Sequence, residues 1–313
     1  MVADYGTREM LKVKIGRLKL KNPVILASGT CGFGEETKGF FDLNNLGAIV
    51  TKTITPDRRE GNPPPRIAEA PAGLLNSIGL DNDGLGDFMS KKIPFLKRLK
   101  VPIIVSIAAD NTDGFVKMAE ELSAAACVGA IEINLSCPNV IHRGTKFSLL
   151  AQDKKSTEKI ILKLRKTTHK TLIAKLSPSV TDIKEIAKAV VSGGADAISL
   201  INTYPGMLVN INTRKPKLGN TSGGLSGPAI KPLALKCVFD VYNAVGIPVI
   251  GTGGITNAAD AIEFILCGAG AVQIGTANFI NPRAPIEILD GITKYLKGKK
   301  IKSVKHLTGK LKI

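Results

Sequence analysis

Short apolar runs recur along the chain at fairly even spacing, each bounded by glycine, proline or charged residues. They cover residues 24–27, 48–52, 102–108, 130–136, 172–176, 197–202, 248–251 and 271–275. The runs are rich in Ile and Val and do not alternate with polar positions, the pattern of parallel strands buried on both faces. Between most of them lie helix-like stretches, at 114–126, 156–168, 181–192, 228–245 and 257–267. Thr181-Asp182 and Thr256-Asn257 read as N-caps, and Gly193-Gly194 as a helix stop. Eight strands alternating with helices over about 280 residues predict a (β/α)₈ TIM barrel rather than a doubly wound open sheet. Segments 53–96 and 203–227 are long for a barrel connection. They are expected to be inserted loops at the C-terminal face of the strands, acting as lids or site walls. No internal repeat, linker or low-complexity segment marks a second domain, so 1–313 is read as one domain.

Composition narrows the class. Hydrophobic residues make up 44% of the 313 residues, too many for a disordered chain. No apolar run reaches transmembrane length, and the first eleven residues, with Asp4, Arg8 and Glu9, lack a signal-peptide core. Five dispersed cysteines without a C-x-x-C pair argue against a disulfide framework, structural zinc or a self-contained iron–sulfur cluster. A cytoplasmic setting is expected. The 43 basic and 26 acidic residues give a net charge of +17, which raises nucleic acid as a partner. Only 4% of residues are aromatic and none is Trp, so stacking platforms for single strands are scarce. Eight lysines and no acid occupy 294–312, and much of the remaining charge lies on helices such as 154–170, as solvated faces do. Nucleic acid is therefore a minor reading.

In a barrel the strand C-termini build the site. Here they carry Ser28, Lys52, Ser106, Asn134, Cys137, Lys175, Asn202, Thr203, Gly253, Gly254, Gly275 and Thr276. Glycines after the last two strands let backbone N–H groups approach a phosphate, be it flavin mononucleotide or a sugar phosphate. Cys137, flanked by amides and followed by Pro138, is placed as a base or nucleophile; a free thiol titrates near roughly 8.5. Cys127, Cys237 and Cys267 fall in apolar helical stretches and read as core, and Cys31 stays undecided. Lys52 and Lys175 could each offer a positive charge or form a Schiff base, so a phosphate-binding lyase or aldolase is an open alternative. Asn76, Asn134, Asn139 and Asn202 suit a flat, hydrogen-bonding ligand such as a pyrimidine.

Several motifs in order resemble the dihydroorotate dehydrogenase family: Gly61-Asn-Pro-Pro-Pro-Arg66, Leu75-Asn76-Ser-Ile-Gly79-Leu80 and Asn134-Leu-Ser-Cys137-Pro-Asn139. The stretch Gly223 to Pro232 and Gly251-Thr-Gly-Gly254 complete the set, and the likeness runs from about Val13 to Ile288. The resemblance implies a TIM barrel holding one FMN, no metal, and oxidation of (S)-dihydroorotate to orotate in pyrimidine (UMP) biosynthesis. It implies Cys137 as the base at substrate C5, with hydride passing from C6 to flavin N5. Lys52, Asn76, Ser77, Ile78, Gly79, Leu80, Asn134, Asn139, Asn202 and Thr203 match the substrate pocket. Ser28, Lys52, Thr53, Ser106, Asn134, Lys175, Ile201, Gly227, Gly253, Gly254, Gly275 and Thr276 match flavin contacts. Lys175 falls where a positive charge would stabilise reduced, anionic flavin.

Cys137, where class 2 has serine, and the short N-terminus resemble class 1. Leu225-Ser-Gly-Pro-Ala229 and Ile201-Asn-Thr203 resemble class 1B, whereas Ser106-Ile-Ala108 and Leu266-Cys-Gly-Ala269 are closer to the fumarate-reducing class 1A. Class 1B implies a homodimeric core bound to a subunit with FAD and a 2Fe–2S cluster, a heterotetramer that reduces NAD⁺. A related flavin barrel acting on dihydropyrimidines would share much of this site.

Overall fold

The computed structural model describes residues 5–135 and 153–313. Eight strands form a closed parallel barrel: β1 (Val24–Leu26), β2 (Ala48–Val50), β3 (Ile103–Ile107), β4 (Val128–Asn134), β5 (Thr171–Leu176), β6 (Ala197–Leu200), β7 (Val249–Thr252) and β8 (Ala269–Ile274). Each pairs with its neighbours in chain order, and β8 closes on β1 through Val272 opposite Val24. Barrel interior and helical coat cover both faces, and β1, β2, β3, β5, β6 and β7 are buried at every position. That double burial is why the apolar runs are continuous.

The coat consists of α1 (Thr112–Ala124), α2 (Lys154–Thr167), α3 (Ile183–Ser192), α4 (Lys231–Tyr242), α5 (Ala258–Leu266) and α6 (Ala284–Gly298). Four of the six starts are fixed by side-chain caps; α4 and α6 instead carry a proline in the first turn. Asn111, Asp153, Asp182 and Asn257 accept from the N–H of Gly114, Ser156, Lys184 and Asp260. Each satisfies an N–H that the helix itself cannot. After α3, Gly194 takes a left-handed φ of 94°, as a helix stop requires. After β1 the coat is reduced to two short 3₁₀ turns, Glu35–Thr37 and Leu43–Asn45. At the opposite end of the barrel, the hairpin of Val13–Ile15 and Leu18–Leu20 buries alternate residues in the core. Its Arg17 N–H donates to Thr171 Oγ1 at the start of β5.

The two long insertions are not irregular loops. Ile67–Ala70 and Gly73–Asn76 come from one; Tyr204–Gly206 and Gly223–Ser226 come from the other. Together they form a four-stranded antiparallel sheet, joined where Gly224 pairs with Asn76 and Leu225 with Leu75. The first insertion continues into a helical run, Gly84–Asp87, a π turn at Phe88–Lys92, and Ile93–Leu96. Among the described residues, no helix is long and apolar enough to cross a membrane.

Candidate active site

A cavity of about 590 Å³ opens at the C-terminal ends of the barrel strands, within the size range of small-molecule sites. The four-stranded sheet forms part of its wall through Leu74, Asn76 and Ser226. Its lining brings together Ser28, Lys52, Thr53, Asn76, Ile78, Gly79, Leu80, Asn134, Lys175, Ile201, Asn202, Thr203, Gly227, Gly253, Gly254, Gly275 and Thr276. Two residues of the sequence reading stand behind it. Ser77 is fully buried and accepts from Asn62 Nδ2 at 2.8 Å. Ser106, equally buried, shares a 2.8 Å hydrogen bond with Thr53 Oγ1 and so supports a lining residue from below. Cys137 and Asn139 lie outside the described residues.

One end of the cavity is built for an anion. Gly253 and Gly254, after β7, have φ of 130° and 72°, and Gly227 has φ of 91°. Among the described residues, no backbone acceptor takes the N–H groups of Gly253, Gly254, Gly275 or Thr276. The loop is anchored by Asp260 in the first turn of α5. Its carboxylate accepts from Thr256 N–H (2.9 Å), Thr256 Oγ1 (2.7 Å), Asn257 N–H (3.2 Å) and Lys231 Nζ (2.7 Å). Burial pushes the Asp260 carboxyl up, but the Lys231 ammonium and the Thr256 donors outweigh it and hold it below the usual range. Lys231 is also 3.0 Å from Glu263, so two carboxylates take up its charge. Asp260→Ala is expected to cost about 2 kcal/mol of stability at neutral pH, the scale of hydrogen bonds to a charged group. Because the folded-state carboxyl titrates low, that stability is fully present above about pH 3.9 and is lost as pH falls through the lowered value. Thermal melts of the two proteins should therefore differ at pH 7 and converge in strong acid.

The other end is built for a hydrogen-bonding ring. Asn202 Nδ2 donates to Asn134 Oδ1 (3.2 Å), and Thr203 N–H donates to Asn202 Oδ1 (2.8 Å). Asn76 Nδ2 reaches Gly224 O at 3.2 Å across the sheet. Ser28 and Thr53 share a 3.2 Å hydrogen bond. Lys52 lines this region, and among the described residues no carboxylate pairs with it. At the floor, Lys175 Nζ lies 3.7 Å from Glu132 Oε1.

Glu132 is the residue the sequence reading passed over. It sits in the apolar run 130–136, has no exposed surface, and its Oε2 accepts from Gln273 Nε2 (2.7 Å) and Ser199 Oγ (3.2 Å). A carboxylate inside a strand buried on both faces was the available signal. Cys31 is now placed. It is buried beside Val50 O (3.5 Å), and burial, with the Glu36 charge second, pushes its thiol up to about 12. Cys237 and Cys267 are half-buried against the core. Cys127 is half-buried too, and Cys127 and Cys267 lie in the turns after α1 and α5 rather than inside a helix.

The family model described as dihydroorotate dehydrogenase matches residues 10–296. The chain belongs to the dihydroorotate dehydrogenase family. This family comprises FMN-dependent oxidoreductases acting on dihydroorotate. Among curated relatives, the dihydroorotate dehydrogenase B (NAD(+)) catalytic subunit of Thermoanaerobacter pseudethanolicus is 50% identical over 303 residues, 97% of this chain and 99% of that one. The proteins of the same name from Desulforamulus reducens and Bacteroides thetaiotaomicron are 50% and 47% identical, over 96% and 97% of this chain and 97% and 99% of their own lengths.

The cavity fits the family's cofactor by its own chemistry. Its anion end has open N–H groups on a glycine loop where a side chain would collide, and its floor carries a buried cation. FMN has a phosphate at one end and an electron-accepting ring at the other.

Proposed function

We propose that this chain oxidises dihydroorotate to orotate and delivers the electrons to NAD⁺ through a partner subunit. The observation that carries the reading is one cavity with two chemically distinct parts, a glycine cradle and an amide cluster, with Lys175 in its lining beside Asn134. Gly227, Gly253, Gly254, Gly275 and Thr276 would hold the FMN phosphate; Ser28, Thr53, Lys175 and Ile201 would surround the ring. FMN, when bound, supplies the hydride acceptor. Asn76, Asn134, Asn139, Asn202 and Thr203 would fix the pyrimidine ring, and Lys52 would meet the substrate's negative charge. Cys137, as thiolate, would take the proton from substrate C5. The excess of positive charge favours capture of an anionic substrate and cofactor.

The B-type relatives support NAD⁺ as acceptor, and their designation as catalytic subunits supports a second polypeptide. FAD and a 2Fe–2S cluster would belong to that partner, on a homodimeric core, because the five dispersed cysteines here offer no cluster-binding set. The Lys175–Glu132 contact favours a fixed positive charge over a Schiff-base nucleophile.

The purified chain is expected to be yellow and to release FMN on denaturation. Dihydroorotate should bleach it anaerobically, and NAD⁺ should restore the colour quickly only when the partner is present. A colourless protein, or one bleached by dihydrouracil instead, would overturn the substrate reading. Rapid NAD⁺ reduction by this chain alone would overturn the two-subunit part.

A further inference from the structure

Barrel interiors are normally filled by layers of apolar side chains, each layer drawn from alternate strands. Here one layer is polar. Glu132 on β4, Ser199 on β6 and Gln273 on β8 meet at the axis, and Thr252 Oγ1 donates to Gln273 Oε1 at 3.0 Å. Both inward donors reach the same carboxylate oxygen, Oε2. The other, Oε1, is buried without a hydrogen-bond partner and faces Lys175 Nζ at 3.7 Å. That distance is too long for a hydrogen bond but close enough for strong attraction in a water-free interior. A fully buried, half-satisfied carboxylate is costly, and an Ile or Val would fill a barrel layer without that cost. The charge is set directly beneath the cavity floor, on the side of Lys175 away from any ligand.

We propose that Glu132 is a positioning residue that acts through Lys175. It holds the ammonium at the cavity floor and offsets part of the positive charge presented to the flavin ring. This rests on the reading that FMN fills the cavity. Lys175 then lies between two negative centres, Glu132 below and the charge the ring acquires on two-electron reduction above. The strength of the lower contact sets how much of the cation's field reaches the upper one. Ser199 and Gln273 fix Oε2, which leaves Oε1 aimed at Lys175.

The test is the midpoint potential of the FMN bound to the full-length chain, titrated with dithionite against a reference dye. Glu132→Gln keeps the shape and removes the charge. It should favour reduced flavin by about tenfold, a rise of roughly 30 mV for a two-electron couple. In a Lys175→Met background the same substitution should shift the potential little. If Glu132→Gln does not retain FMN, Glu132→Asp keeps the charge but draws it back by one methylene, and a smaller rise is expected. An unchanged potential in whichever variant retains FMN, or an equal shift with and without Lys175, overturns the proposal. A wild-type protein that carries no flavin would instead overturn the reading on which it rests.

Discussion

Replacing Cys137 with alanine is expected to leave FMN bound and to slow its reduction by dihydroorotate about 10²–10⁴-fold, the usual contribution of a positioned base. The strand that leads to Cys137 ends in the cavity. Asn134 lines it and is tied to Asn202, and Leu135 behind it is buried in the core. None of the other cysteines can take over, because Cys31, Cys127, Cys237 and Cys267 are packed in or against the core and none lines the cavity. Burial also pushes the Cys31 thiol to about 12 and the Cys237 thiol to about 11, far from a working base at neutral pH. The measurement is anaerobic stopped-flow bleaching of the flavin by dihydroorotate. A wild-type rate in Cys137→Ala removes the cysteine from the proton transfer. Cys137→Ser should recover part of the rate at high pH, since a hydroxyl gives up its proton less readily than a thiol.

The barrel was legible in the sequence because its strands are buried on both faces, which leaves eight predominantly apolar runs without polar alternation, with helical stretches between most of them. Residue choice at the strand ends was legible for the same reason: Lys52, Asn134, Lys175 and Asn202 interrupt an apolar context and all line the cavity. The sheet over the site was not legible. Its strands are three or four residues long, largely half-exposed, and glycine-rich, and Asn76 finds its partner Gly224 nearly 150 positions away. Nothing local specifies such pairing. Ser77 and Ser106 were near enough in sequence to be counted with the lining, but Ser77 is held behind the wall by Asn62 and Ser106 stands one level below, in register with Glu132 and bonded to Thr53. Glu132 shows the converse: one polar residue in an apolar run was absorbed into the strand pattern, although a buried carboxylate always needs a partner.

Gly254→Ala is expected to strip the flavin from an otherwise folded protein. The loop after β7 passes Gly254 at φ 72°, where a side chain is strained by about 1–3 kcal/mol. A Cβ there would also stand 2.8 Å from Gly227 O, 2.8 Å from Lys231 Cβ and 3.0 Å from Lys231 N. Two of those three atoms are backbone, and Lys231 is itself tied to Asp260 and Glu263, so little can give way. The cheapest relief is to move the loop off the Gly227 turn, and that opens the cradle whose N–H groups would face the phosphate. A penalty of about 3 kcal/mol on the bound conformation corresponds to a roughly 10²-fold weaker hold on FMN. The barrel strands lie outside the clash, so the far-ultraviolet dichroism should stay native while the purified variant is pale and regains colour only in excess FMN. Ala27 and Thr30 stand 3.6 and 3.8 Å from the position of a Cβ at Gly275, ordinary contact distances. Gly275→Ala should therefore weaken FMN far less. Equal flavin content in wild type and Gly254→Ala would show that the phosphate does not depend on this loop.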